Sequence, residues 1–350
     1  MPSEPRMRDD GEFRLIARLA DRLARVGPPQ ASGVDVHVGI GDDAAVTAAG
    51  GVTVTSTEAL VEGVHFRRHT APPASIGHKA LAVALSDLAA MGASAGEAYV
   101  ALGIPEDLDE AACMELYDGL AAIAASTGTA VLGGDVTRAP ALVLAVTVVG
   151  HARSPDAVVG RDGASPEQAL AVTGELGGAA AGLLLLERAV RTSSLEPEMA
   201  AALRRRQLEP APRLAAGATL AAQGATAMID VSDGLGADAG QIAAASGVRA
   251  VIELERLPVQ PGVAEVASAG GLDALELAAS GGEDYELLAV LPATRVEEAA
   301  AAVSAGGGRL TVIGRTAPGE GVEIGAPDGS TREPGGFDHL RTRAERAGPG

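Results

Sequence analysis

The chain of 350 residues has one cysteine, one lysine, no tryptophan, three phenylalanines and three tyrosines. A lone Cys113 excludes an intramolecular disulfide framework and fits a reducing compartment. With aromatics at 2%, the core must be assembled from Ala, Val, Leu and Ile. Bases are outnumbered by acids, 27 against 46, for a net charge of −19. That balance disfavours nucleic acid or an anionic membrane as a general partner and suits work with bound cations. No apolar run reaches a membrane span without charge or glycine, and Met1–Asp10 has no apolar stretch of the signal-peptide kind. The expectation is a soluble, cytoplasmic protein with no nucleic acid and no membrane among its partners.

Familiar catalytic signatures are absent as well. There is no Gly-x-x-x-x-Gly-Lys-Ser/Thr loop, no His-Arg-Asp kinase set and no Gly-x-Ser-x-Gly nucleophile. Cys113 falls in an amphipathic helical pattern, which predicts a buried structural thiol. His65 and His69 are four apart, but glycine and proline surround them and no Cys or Glu stands at a zinc-like spacing.

What is present centres on Ala80–Ala93, an apolar helical run that contains one acid, Asp87. Such a helix belongs in a core or an interface, where an ionised carboxylate needs a cation or several donors. A backbone hydrogen bond would satisfy Asp87; so would a hard divalent metal that also carries phosphate oxygens. Acids follow Gly, Ser or Thr at Asp42, Glu58, Asp87, Asp135 and Asp233, with Asp43 and Asp230 alongside. Carboxylates beside small residues let phosphate oxygens approach the backbone, the combination phosphoryl transfer requires. With one lysine, metal ions would have to neutralise the charge; Arg138 and Arg161 are candidates for direct phosphate contacts.

Periodicity predicts a helix over 11–23, strands at 35–40, 52–57, 96–104, 130–135 and 141–149, and a helix over 108–127. Further on it predicts strands at 169–173 and 225–230, a turn at 231–235 opening a helix, a helix near 295–305 and a strand at 310–313. The glycine-rich Gly174–Gly182 stretch opens a helix and can take an anion, although a tight turn explains it equally well. The length suggests two domains. The expected boundaries are 1–152 for an N-terminal domain, 153–342 for a C-terminal domain, and a tail at 343–350.

Together these motifs resemble the thiamine-monophosphate kinases of the superfamily that includes aminoimidazole ribonucleotide synthetase and selenophosphate synthetase. The resemblance runs in order through Gly11–Ile16, Gly41–Asp43, Val61–Phe66, Lys79–Ala93, Gly133–Asp135, Met228–Leu235, Ser280–Leu288 and Gly336–His339. It implies an α+β fold of two domains, an N-terminal mixed α/β domain forming a homodimer interface and a C-terminal α/β domain. It also implies Mg²⁺ and the co-substrate ATP, with direct in-line phosphoryl transfer to thiamine monophosphate. Carried over by residue, Asp43, Asp87, Asp135, Asp230 and Asp233 would be metal ligands, with Ser56, Thr57 and Glu58 beside them. Asp87 and Asp233 are the catalytic candidates. Gly134, Asp135, Arg161 and Ser232 would meet ATP, while His65 and Glu283 would face the substrate.

Four positions depart from the family pattern. Glu58 stands for Asp and reaches farther by about one bond length, a change octahedral Mg²⁺ tolerates poorly. Ala84 replaces Asn, Val136 replaces Thr, and Pro334 falls where an aromatic stacker is usual. Phe337 is the aromatic side chain that could serve in its place. Two other readings stay open: a related enzyme with a different phosphorylated acceptor, and a nucleotide-binding homologue without catalysis.

Overall fold

The computed structural model describes residues 12–25, 33–38, 40, 44–191, 195–332 and 335–336. The chain begins with α1 (Glu12–Ala24), β1 (Val34–Val38), β2 (Val46–Ala49), β3 (Val52–Val61), α2 (Pro73–Ala90), β4 (Ser94–Ile104), α3 (Glu110–Thr127), β5 (Ala130–Arg138) and β6 (Val143–Ala152). It continues with β7 (Ala169–Thr173), α4 (Gly178–Leu186), α5 (Pro197–Leu208), α6 (Leu214–Ala222), β8 (Ala227–Asp230), α7 (Leu235–Ser246) and β9 (Arg249–Glu253). The last elements are α8 (Val263–Ala269), α9 (Ala274–Ser280), β10 (Leu287–Leu291), α10 (Val296–Ala305), β11 (Leu310–Ala317), β12 (Gly321–Gly325) and β13 (Thr331–Arg332).

These elements form two compact units, so the two-domain α+β architecture holds. The first contains the described residues through Gly160 together with Leu208–Gly224; the second contains Arg161–Gln207 and the residues from Ala225 onward. A single linear boundary at 152 therefore misses an excursion. The segment carrying α6 returns to the first unit, where Ser75 Oγ donates to Glu209 Oε1 at 2.8 Å and His78 Nε2 donates to the Pro210 carbonyl at 2.9 Å.

In the first unit a four-stranded sheet, ordered β3-β6-β4-β5, buries one face beneath α2 and α3. Leu60, Leu144 and Leu102 form one cross-strand row of that face, each at most 3% exposed. The two helices cross with backbones almost touching. A Cβ on Gly77 would lie 1.8 Å from the Leu116 carbonyl oxygen, and one on Gly119 1.7 Å from that of Ala74. α2 is longer than the 80–93 run predicts, because Pro73 occupies its first turn, where the ring's fixed φ favours helix and no N–H is lost. Asp109 caps α3 by accepting from Ala112 N at 2.7 Å. α1 buries Leu15 and Leu19 and pairs Arg22 with Asp118 of α3.

The second unit is built on a seven-stranded sheet, ordered β13-β12-β9-β11-β7-β10-β8 and antiparallel except where β12 meets β9. Leu170, Val172, Ile229, Leu288, Val290 and Ile313 of the sheet pack with Leu235, Ala239 and Ile242 of α7 in the main core. A second cluster joins α4, α5 and α8 through Ala181, Leu185, Leu203, Val263 and Val266. The sequence periodicity passes over β9, α8, α9 and β12, which are only five to seven residues long and carry no strong repeat of their own.

Candidate active site

In the first unit the site begins where α2 passes over β3. Ser56 Oγ donates to the Asp87 carboxylate, so the acid inside the apolar helix has a hydroxyl from the strand below. Glu58 lies two residues farther along β3 on the same face as Ser56, about 7 Å away at strand spacing. Thr57 does not join them. Strand alternation turns it to the opposite face, where its hydroxyl meets that of Thr147 at 3.0 Å.

Asp135 is also separate. Its row runs Ala59, Ala145, Ala101, Asp135 across the sheet, placing it on the face opposite Glu58 and on the other edge strand. Gly134 before it has φ +156°, and a Cβ there would lie 1.9 Å from the Val100 carbonyl oxygen. Glycine at 134 is thus required by the close approach of β5 to β4, whatever else it touches. Asp43 and Phe337 lie outside the described residues, as do Gly41, Asp42 and Pro334.

His65 sits half-buried in a loop tied down at several points. Its Nδ1 accepts from Val61 N at 3.0 Å, which leaves the proton of a neutral ring on Nε2. Glu62 takes Arg68 Nε at 2.7 Å and Leu142 N at 3.1 Å, and Arg68 also donates to Asp107 at 2.7 Å.

In the second unit two motifs distant in sequence are joined backbone to backbone. Val231 N donates to Glu286 O at 2.7 Å, Tyr285 N to Val231 O at 2.9 Å and Glu283 N to Ser232 O at 2.8 Å. The Val231–Gly234 turn at the end of β8 is thereby fastened to the Glu283–Glu286 segment before β10. Asp230, Ser232, Asp233 and Glu283 come together as a group. Gly336 reaches the same turn: a Cβ on it would lie 2.4 Å from Ala237 Cβ and 3.3 Å from Asp233 O. Arg161 stays apart. Its carbonyl accepts from Ser246 Oγ at 2.8 Å, at the C-terminal end of α7, whereas the turn is at the N-terminal end. Twelve helical residues separate the two ends by about 18 Å.

Three buried acids that the motif reading did not single out hold this group in shape. Asp238, 3% exposed, accepts from the backbone N–H of Ser232, Asp233 and Gly234 at 3.1, 3.2 and 3.1 Å through one oxygen. Burial first, and then the charges of Asp230 and Asp233, push its pKa up to about 8. Asp284 accepts from Gly177 N at 2.6 Å and Ala179 N at 2.9 Å. The anion taken by the glycine-rich entry to α4 is therefore this chain's own carboxylate. Burial raises the Asp284 pKa to about 6, against the lowering effect of Arg206. Glu286, fully buried, receives Thr173 Oγ1 at 2.7 Å and an Arg206 guanidinium N–H.

Glu283 and Tyr285 adopt φ values of +68° and +49°, a left-handed backbone that is costly for bulky residues. Their N–H bonds to Ser232 and Val231 and the inward anchors at 284 and 286 hold them there. One sequence signal was available: Glu-Asp-Tyr-Glu alternates outward and inward at period two, with Asp284 and Glu286 pointing into the core.

The donor set is oxygen throughout, which fits a hard divalent cation such as Mg²⁺ better than zinc or copper. The negative charges of Asp230 and Asp233, which help to raise the Asp238 pKa, give the turn the negative potential that suits such an ion. Among the described residues, no three His, Cys, Asp or Glu side chains stand at metal-binding distance from a common point. No helix among them is long and apolar enough to cross a membrane.

Comparison with known proteins finds similarity over most of the chain. Residues 41–152 match the model for the AIR synthase related protein N-terminal domain, and residues 165–326 that for the C-terminal domain. Thiamine-monophosphate kinase of Mycobacterium tuberculosis H37Rv is 41% identical over 289 residues, covering 81% of this chain and 82% of that protein. The crystal structure of thiamine-monophosphate kinase from Stenotrophomonas maltophilia K279a is similar with a TM-score of 0.78 at 37% identity, over 92% of this chain and 98% of that one. The structure of AaThiL complexed with AMPPCP and TMP gives a TM-score of 0.73 at 32% identity, over 96% and 99%.

Proposed function

The chain belongs to the thiamine-monophosphate kinase family, and from that premise we propose how its residues divide the work of ATP-dependent phosphorylation of thiamine monophosphate. The reaction is transfer of the ATP γ-phosphoryl group to the acceptor phosphate, which yields thiamine diphosphate and ADP. The solved structure of a relative, AaThiL, is complexed with AMPPCP and TMP. The observation that carries the residue assignment is the backbone joining of the Ser232–Asp233 turn to Glu283. It sets an acid of the metal-binding kind beside an acid suited to an organic cation.

The nucleophile is an oxygen of the acceptor phosphate, whose second pKa is about 6, so it is already largely ionised at neutral pH. No protein group has to remove a proton. The new P–O bond forms in line with the breaking bond between the γ-phosphorus and the β–γ bridging oxygen, and ADP leaves with that electron pair. The obstacle is repulsion between two anions. Bound Mg²⁺ would screen that charge and orient the phosphates.

In this reading Asp87 and Asp233 are the catalytic acids, with Asp43, Glu58 and Asp230 in the metal-binding set, while Asp135, on the sheet face opposite Glu58, is a metal-ligand candidate apart from that set. Ser56 holds the Asp87 carboxylate toward β3. Ser232 offers its hydroxyl to ATP from the turn that Asp238 fastens. Gly134 and Arg161 are further ATP contacts. His65, Glu283 and Phe337 face the thiamine moiety, with Phe337 supplying a stacking surface worth about 0.5–2 kcal/mol toward the thiazolium cation.

A second copy of the chain is the proposed partner. Thr55, Thr57 and Ala59 on one sheet face are exposed among the described residues, and their small side chains suit a face-to-face pairing of sheets. Sedimentation should then give a dimer mass. The cytoplasm is the proposed compartment, supported by the single cysteine of the sequence.

The assay is purified protein with ATP, Mg²⁺ and thiamine monophosphate, followed for thiamine diphosphate. Product confirms the acceptor despite Glu58, Ala84, Val136 and Pro334. Metal-dependent ATP binding without product would assign the donor site to another acceptor or to none.

A further inference from the structure

On the reading of Glu283 as a substrate contact, we propose that Gln207 is a positioning residue for thiamine monophosphate, fixing the Glu283 carboxylate from the last turn of α5. Two neighbouring residues of that turn grip one segment in two directions. Arg206 takes the inward acids, with an N–H on Glu286 and its Nε 3.8 Å from Asp284 Oδ1. Gln207 takes the outward one: its Nε2 donates to Glu283 Oε2 at 2.5 Å.

Gln207 is 4% exposed, and its Oε1 is buried with no hydrogen-bond partner among the described residues. An apolar side chain of the same volume would fill the space without leaving an acceptor unmet. Packing alone therefore does not account for an amide here; its donor does. The amide has one workable orientation, because turning it over would set its oxygen against the carboxylate.

The backbone of Glu283 is already held at φ +68° by its N–H bond to Ser232. Its side chain is held by the Gln207 amide, which donates to one carboxylate oxygen. A carboxylate held in one rotamer can accept from the exocyclic amine of an aminopyrimidine or face a thiazolium cation without first losing rotational freedom. The effect belongs to acceptor binding and leaves ATP binding untouched.

The test is a double-mutant cycle with Gln207→Met, which keeps volume and removes the donor, and Glu283→Gln, read as KM for each substrate and kcat. Thermal melts check that each variant folds. The expected result is that Gln207→Met raises KM for thiamine monophosphate by about tenfold, the equivalent of one hydrogen bond, with KM for ATP within about twofold. In the Glu283→Gln background the same substitution should add almost nothing. If Glu283→Gln raises that KM but Gln207→Met leaves it unchanged, or raises it equally in both backgrounds, Gln207 does not act through Glu283 and the proposal is overturned. If Glu283→Gln itself leaves the KM unchanged, the substrate role of Glu283 fails, and the proposal falls with it.

Discussion

The two units hold their candidate acids by opposite means. In the first, Asp87 and Glu58 project from a helix and a strand, and regular secondary structure does the positioning; the one side-chain contact described between candidates is Ser56 to Asp87. In the second, Ser232, Asp233 and Glu283 lie on irregular segments, and buried carboxyl groups at Asp238, Asp284 and Glu286 tie those segments down through backbone N–H groups, a threonine and an arginine. Acids thus do two kinds of work in this chain. On the proposed function some are offered to ligand, while others accept backbone N–H groups at a turn and a helix entry.

The comparison predicts that stability resides in the internal acids and activity in the offered ones. The largest effect should come from Asp284→Ala, which strips two N–H groups and part of the Arg206 interaction in a buried site. It should lower stability by about 3–5 kcal/mol in urea unfolding. Loss below about 1 kcal/mol would remove the distinction between the units.

Ser56→Ala comes next. It leaves the fold but removes the hydroxyl that Asp87 receives from β3, so kcat/KM should fall by about tenfold with little change in melting temperature. Thr57→Val, on the opposite face, should change kcat/KM by less than about threefold; the reverse ranking would put the working face of β3 on the Thr57 side.

The pH dependence follows from Asp284. Its folded pKa of about 6 lies above the unfolded value near 3.8, so the folded state keeps a proton that the unfolded chain releases. This group's contribution to stability is therefore greatest below about pH 4, declines as pH rises to about 6 and is constant above that. The difference between wild-type and Asp284→Asn unfolding free energies across pH 4–7 should show that slope, on the order of 2 kcal/mol. A flat difference would mean that the carboxyl ionises normally. The smallest effect is expected for Asp135→Ala, an exposed position, which should alter stability by less than about 0.5 kcal/mol.

Much of this was legible in the sequence, for reasons that differ between the units. Strands β3 to β6 and helices α2 and α3 have clear periodicity, and Asp87 is conspicuous because an acid in an apolar helix is costly. The turn at 231–235 and its acids were marked by Ser-Asp-Gly at a strand end. The partner of Asp87 was not legible, since Ser56 is thirty-one residues away and only the sheet-to-helix packing brings it near. Nor was the separation of Thr57 and Asp135 from Glu58, because a list of acids carries no face until the strand register is known. Asp238 and Asp284 were hidden for another reason: they read as further acids in an acidic chain, and only burial shows that their ligands are backbone N–H groups. The return of 208–224 to the first unit depends on long-range contacts at Ser75 and His78 that leave no local pattern.

The central claim is that Asp87 and Asp233 are each required for phosphoryl transfer. The most direct test measures thiamine diphosphate formation by Asp87→Asn and Asp233→Asn beside the wild type, with melting curves to show that both variants fold. The account predicts a loss on the order of 10³-fold in kcat for each variant with the fold intact. Wild-type turnover in either variant would contradict it, because the reaction would then not need the acid of that unit.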